Sequence, residues 1–312
     1  MVAYAASPDH TVVLPAGRGR IHCRGSKLTF AKATPGSVDR RYTCQGGAAP
    51  STTSTSTTTT TAPPVPAPPT PSTSPPSTPP SGGILFAHGF DLSDQLLTNE
   101  YAYWNPGARD AHVSPDWEMT SGSLFVRGNA AWSGVPDTVE PNATSSNGTD
   151  SAVFRLTTKR DDFGDVGVAF DLVNARLLST ADTPAVDWDG IHIFLRYQSE
   201  ESLYYASVNR RDGTVVMKKK CAGGPDNGGT YYELTSYQSG HPIPFGARQR
   251  VGATVRNNPD GSVTLSLVRD GVTLQTATDR GVGCKPITTP GKVGIRGDND
   301  EFSVDNFSVA SL

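Results

Sequence analysis

The sequence predicts an all-β protein: over residues 84–312, a two-sheet antiparallel jelly-roll sandwich, preceded by a small disulfide-stapled β module and a Pro/Thr/Ser linker. Three observations carry this. About a dozen short runs alternate apolar and polar residues, the pattern of strands with one buried face. Turn chemistry separates them, as at Asn258-Pro259-Asp260-Gly261 and Arg269-Asp270-Gly271. No run keeps a helical period over several turns.

The chain begins Met1-Val2-Ala3-Tyr4-Ala5-Ala6-Ser7, with an Ala-x-Ala arrangement at Ala3 and Ala5 like the end of a signal peptide. Residues 1–7 are thus expected to be a signal remnant or a frayed terminus. Residues 8–47 read as a β module of short runs around 10–14, 20–23, 27–33 and 40–44, punctuated by glycine and Pro35-Gly36. It is locally basic, which reads as a solvated face or as contact with an anionic polymer. Residues 48–83 are almost only Ser, Thr, Pro and Ala, from which no core can be built. Such a linker favours extended polyproline II, with a reach of roughly 100 Å at about 3.1 Å per residue.

The main domain opens with the strand-like run at 84–91. An aromatic stretch follows, with Tyr101, Tyr103, Trp104, Trp117 and Trp132, and then a Gly- and Asn-rich loop at 133–150. Val166, Val168, Phe170 and Leu172 alternate cleanly. The centre of the domain is 187–220, three strand-length runs divided by turns. Strict alternation puts Ile191, Ile193, Leu195 and Tyr197 on one face of the first run, and His192, Phe194, Arg196 and Gln198 on the other. In the second run Tyr205, Ser207 and Asn209 oppose Tyr204, Ala206, Val208 and Arg210. In the third, Val216, Lys218 and Lys220 oppose Val215, Met217 and Lys219. One side of such a sheet is oily. The other carries Arg, His, Tyr, Asn and Lys, and is the expected functional surface. A final meander runs from 248 to 309.

The 312 residues suggest two domains. A formal net charge of −3 gives no bulk attraction to nucleic acid or to anionic membrane, and no apolar run is long enough to span a bilayer. A monomer is expected. The four cysteines fall into the pairs Cys23/Cys44 and Cys221/Cys284, which suggests two disulfides and an oxidising, extracellular setting.

The main domain resembles the concanavalin A-like lectin/glucanase (laminin-G-like) family of secreted, bacterial carbohydrate-active proteins. The resemblance rests on Phe194-Leu195-Arg196-Tyr197 leading into Tyr204-Tyr205-Ala206, and on Val268-Arg269-Asp270-Gly271-Val272 as a late hairpin. It rests also on Gly291-Lys292-Val293-Gly294-Ile295-Arg296 followed by Phe302-Ser303-Val304-Asp305-Asn306-Phe307. It implies a concave sheet that binds an extended glycan. It also implies a structural calcium where the first and last strands meet, with Asp305 at the acidic position; Gly89 stands where a second acidic residue is common.

Three chemistries fit this frame. Glycoside hydrolysis needs paired carboxyls; Asp187 and Asp189 are the candidates, but the Glu-x-Asp-x-x-Glu motif of the family's glucanases is absent. A polysaccharide lyase acting on a uronate polymer by β-elimination needs a neutralising cation or amide and a proton-transferring Tyr, His or Lys. Tyr205, His192, Arg196 and Lys218 supply these as catalytic candidates, although the family's alginate-lyase motifs are absent. A binding module needs aromatic rings and hydrogen-bonding groups, for which Asn209, Gln198, Tyr231, Trp104 and Trp188 are the candidates. Glycan binding needs the fewest additional groups and is the reading preferred from sequence, with a polysaccharide or cell-wall glycan, neutral or acidic, as partner. A surface adhesin is the remaining class. No Ser-His-Asp arrangement, P-loop or dinucleotide fingerprint is evident in the sequence.

Overall fold

The computed structural model describes residues 82–135, 152–181 and 183–312, together with the backbone of five short strands nearer the N-terminus. These are β1 (Ala3–Tyr4), β2 (Asp9–Val13), β3 (Arg20–Arg24), β4 (Lys27–Ala31) and β5 (Cys44–Gln45). Strands β2, β3 and β4 form an antiparallel meander, and β1 pairs with β5 in parallel. The Cys23 and Cys44 side chains and the linker lie outside the described residues. The chain divides into two compact units, Met1–Thr73 and Ser74–Leu312.

The second unit is a sandwich of two antiparallel sheets. Its first half contains β6 (Ile84–His88), β7 (Gln95–Asn99), the one-turn helix α1 (Tyr101–Trp104), β8 (Trp117–Ser121), β9 (Ser123–Arg127), β10 (Ala130–Trp132), β11 (Val153–Thr158) and β12 (Val166–Leu177). The central strands are β13 (Gly190–Ser199), β14 (Ser202–Arg210), β15 (Val216–Asp226) and β16 (Gly229–Glu233). The remainder are β17 (Gln249–Asn257), β18 (Val263–Arg269), β19 (Val272–Asp279), β20 (Lys292–Asp298) and β21 (Asp300–Ser311). A seven-stranded sheet runs β16-β15-β14-β13-β20-β11-β8. A nine-stranded sheet runs β19-β18-β17-β12-β21-β10-β9-β7, with β6 also on β21.

The core is built from the alternating apolar residues of both sheets, as expected of a sandwich. Val166, Val168, Phe170 and Leu172 of β12 and Val251, Ala253 and Val255 of β17 face Ile191, Ile193 and Leu195 of β13 and Tyr204, Ala206 and Val208 of β14. Phe170 stacks on Phe307, their ring centroids 5.8 Å apart. Tight hairpins use the residues the sequence offers: Asp270 and Gly271 both take positive φ, as do Asn227 and Gly228, which suits the twist of two-residue β-turns.

Two breaks in alternation decide where the site residues point. Between β13 and both its neighbours the register shifts around Arg196, which takes φ +45°. The extra residue of this bulge turns every later side chain to the opposite face. Tyr197 therefore joins Phe194 on the outer face, and Arg196 turns into the sandwich, reversing the faces that strict alternation predicts for both. A Cβ on Gly291 would stand 2.8 Å from the Arg196 carbonyl carbon, so only glycine lets β20 start beside this bulge. A second shift in β14, where Ile191 pairs with Asn209 but His192 pairs with Ser207, turns Asn209 inward.

Candidate functional site

The outer face of the seven-stranded sheet collects most of the chemistry. From β15 it receives Lys218 and Lys220, from β14 Leu203, Tyr205 and Ser207, from β13 His192, Phe194 and Tyr197, from β20 Arg296 and Asp298, and from β11 Arg155. Cross-strand register sets Tyr205 beside Lys218, Leu203 beside Lys220, His192 beside Arg296, and Arg155 beside Arg296. Phe194, Tyr197, Leu203 and Tyr205 form a small second core there, with Tyr231 of β16 packed against it.

Its centre is a closed polar chain. His192 has no exposure; its Nδ1 lies 2.9 Å from the Ser207 Oγ and its Nε2 lies 3.3 Å from the Asp298 carboxylate. Burial lowers the His192 pKa to about 4, against the pull of Asp298, so the ring is neutral near pH 7. Arg296 grips Asp298 through Nε at 2.7 Å and Nη2 at 2.8 Å. Burial opposes charge on both partners of that pair, but their mutual attraction overcomes it: the arginine pKa is raised and the carboxyl is held well below the usual range. The structure thus brings a serine, a histidine and an aspartate into line, an arrangement the sequence did not reveal. Ser207 is wholly buried and Tyr205 covers the imidazole, so no substrate reaches this hydroxyl. The chain positions Arg296 and Tyr205 instead of providing a nucleophile.

Tyr205 is 6 % exposed and its hydroxyl pKa is pushed well up, by burial first. Lys218 lies over the exposed ring of Tyr237, its Nζ 5.1 Å from the centroid, and the Arg210 guanidinium is also 5.1 Å from that centroid. Lys220 sits similarly at 5.1 Å from the half-buried Tyr231 ring. Tyr237, Arg155 and Arg296 were not singled out from sequence as site residues, whereas Lys220 falls on the face that alternation predicts. They come from separate strands and loops, and only sheet register brings them beside Tyr205.

The remaining expected residues scatter. Arg196 is fully buried and donates to the Asn257 Oδ1 at 2.5 Å, the Ile287 carbonyl at 2.6 Å and the Asp165 carboxylate at 2.8 Å. It is a strut between the sheets and not a groove cation, because the bulge turns it inward. Asn209 is likewise buried between the sheets, donating to Asn174 and accepting from Arg269, so it cannot reach a glycan on the outer face. Gln198 is exposed at the far end of β13 and donates to the Pro290 carbonyl. Trp188 is exposed in the turn before β13. Trp104 lies on α1, half-exposed at the β8 margin, donating to the Thr120 carbonyl and in edge contact with Tyr103. The expected hydrolytic pair also comes apart: Asp187 lies exposed in a turn, whereas Asp189 is buried and held by Arg211, Asn299 and the Val186 N–H.

Asp305 lies on the outer face of the other sheet. Its Oδ1 accepts from the Asn306 N–H and its Oδ2 from Arg248 and the Asn306 amide, within a cluster that also ties Arg248 and Arg250 to Asp171. A carboxylate already facing a guanidinium does not fit a calcium ligand, and no group of three or more His, Cys, Asp or Glu side chains among the described residues is arranged to hold a metal ion. Cys221 and Cys284 are bonded, with Sγ atoms 2.04 Å apart. No helix among the described residues is long and apolar enough to cross a membrane.

No family model matches the sequence, and no curated protein matches it. Several solved structures align with it at low similarity. A carbohydrate-binding module from Bacillus subtilis is 12 % identical, with a TM-score of 0.40, covering 62 % of this chain and 95 % of that one. A protein with a galectin-like fold from Bacillus subtilis is 12 % identical, with a TM-score of 0.46, covering 75 % and 98 %. β-Agarase B from Zobellia galactanivorans is 10 % identical, with a TM-score of 0.43, covering 72 % and 94 %. At such identities the site residues of those proteins do not transfer, and the jelly-roll assignment rests on the chain's own two sheets.

Proposed function

We propose that the protein binds an extended polysaccharide across the outer face of its seven-stranded sheet, without cleaving it, and that it works outside the cell. The observation that carries this is the setting of the exposed Tyr237 ring and the half-buried Tyr231 ring beside the cationic donors Lys218, Arg210 and Lys220. Sugar rings stack on aromatic faces while neighbouring donors take their hydroxyls.

Turnover fits less well. β-Elimination needs a cation and an accessible base on one face; Lys218, Lys220 and Arg296 supply cations beside Tyr205, although Arg196 is turned away, but the base is missing. Tyr205 is enclosed with a raised pKa, and neutral His192 is capped by it, so neither is poised to take a proton from a bound sugar. The Ser/Thr/Pro stretch at 48–83 would then act as a tether between the binding domain and the N-terminal module, an arrangement suited to a secreted, monomeric protein on a cell wall or matrix.

Affinity electrophoresis of the purified chain through gels containing neutral or acidic polysaccharides tests this, with mass spectrometry of the soluble fraction. Retardation in one polymer with no new oligosaccharide is the expected result. Unsaturated oligosaccharides would overturn the non-catalytic reading, and free migration in every gel would overturn glycan binding.

A further inference from the structure

We propose that the hollow between β11, β13, β14, β15 and β20 is an anion subsite for a carboxylate or sulfate half-ester carried on a sugar ring. This rests on the glycan-binding reading of the same face and names the substrate class. The hollow is lined by Arg155, Tyr197, Glu200, Lys220, Tyr231 and Arg296. Three of these are cations and one is a carboxylate.

The donors are not used up. Glu200 takes Arg155 at 2.7 Å. Arg296 turns Nε and Nη2 to Asp298, leaving Nη1 at 3.4 Å from the Tyr231 hydroxyl, too long for a good hydrogen bond. Lys220 meets no carboxylate within ion-pair distance among the described residues. Its ammonium, with three donors, has the Glu200 carbonyl at 2.5 Å as acceptor. Phe194 and Leu203 give the hollow a dry floor, each almost fully buried. Cations crowded over an apolar floor repel one another, and the Lys220 pKa is lowered by burial and then by Arg155 and Arg296. An entering oxyanion relieves that repulsion and accepts from Lys220 and from the spare Arg296 donor. The sugar ring bearing it would lie along Tyr231, whose hydroxyl borders the same hollow.

The test is affinity electrophoresis of the full chain and its Lys220→Gln variant in gels containing sodium polygalacturonate, a sulfated galactan or uncharged agarose. The expected result is stronger retardation of the wild type by an anionic polymer than by agarose. Lys220→Gln should lose about tenfold of that affinity, a larger loss than any it shows in agarose. Loss confined to polygalacturonate identifies a carboxylate, and loss confined to the galactan a sulfate. If Lys220→Gln does not fold, Arg155→Gln, at the partly exposed rim, should show the same selective loss. Equal retardation by charged and uncharged polymers, or unchanged binding in both variants, overturns the anion subsite while the glycan-binding reading stands. No retardation in any gel overturns both.

Discussion

Tyr205 lies flat against His192, with ring centroids 4.4 Å apart and planes 22° from parallel. This contact seals the imidazole beneath the outer face of the seven-stranded sheet and keeps it neutral, with its pKa lowered to about 4 by burial. An unfolded histidine titrates near 6.5, so as pH falls below about 6.5 the unfolded chain takes up its proton first. His192 therefore contributes stability that is present above that value and lost toward pH 4, approaching about 3 kcal/mol at the low end. Asp300 acts in the opposite sense: burial raises its carboxyl pKa, so the folded chain takes that proton first. The readout is thus a difference. Urea unfolding of wild type and His192→Gln at pH 7, 5 and 4 should show the gap between them shrinking as pH falls; a gap independent of pH would contradict a neutral, sealed His192.

Arg196 ties β13 to Asp165, Asn257 and Ile287. Arg196→Met leaves those acceptors without their donor and should cost about 3 kcal/mol of stability. At a temperature where the variant is folded, polysaccharide affinity should match wild type. Loss of affinity in a folded variant would place Arg196 in the binding surface after all.

Tyr237 has the Lys218 ammonium and the Arg210 guanidinium each 5.1 Å from its ring centroid and is 43 % exposed. Tyr237→Ala removes little buried surface and should leave the melting temperature within a degree or two. Its affinity for the bound polymer should fall by about 1 kcal/mol, roughly fivefold, measured by isothermal titration. Unchanged affinity would confine the glycan to the Tyr231 side of the sheet.

Lys219 is buried between the sheets, pairing with Asp279 at 2.8 Å and donating to the Cys284 carbonyl at 2.6 Å. The Cys221–Cys284 bond holds the same corner. Lys219→Met leaves a buried carboxylate unpaired and should cost about 3–5 kcal/mol. Reduction of the disulfide should cost about 4 kcal/mol in the chain-entropy model for a loop of this length. Chemical denaturation with and without reductant measures both, and a variant as stable as wild type would show that water reaches Asp279.

Much of this was legible in the sequence. The three central strands and the inner and outer lysines of β15 follow from alternation alone, and the Cys221–Cys284 pairing from the split of four cysteines between two domains. What alternation could not show is a single inserted residue. The bulges at Arg196 and near Asn209 leave no compositional mark, yet each sends a polar side chain inward and one brings Tyr197 out. Nor could sequence place Arg155, Arg296 and Tyr237 beside Tyr205, because their neighbourhood comes from strand order across the whole domain. The ion pair of Asp305 with Arg248 is equally a product of register.

The central claim is that the glycan lies on the outer face of the seven-stranded sheet. The most direct measurement compares Tyr231→Ala with Arg248→Ala, a change of an exposed side chain on the outer face of the opposite sheet, by retention on the polysaccharide that holds the wild type. The expected result is that Tyr231→Ala elutes early and Arg248→Ala elutes with wild type, both folded by circular dichroism. Early elution of Arg248→Ala with full retention of Tyr231→Ala would contradict it and move the binding surface to the nine-stranded sheet.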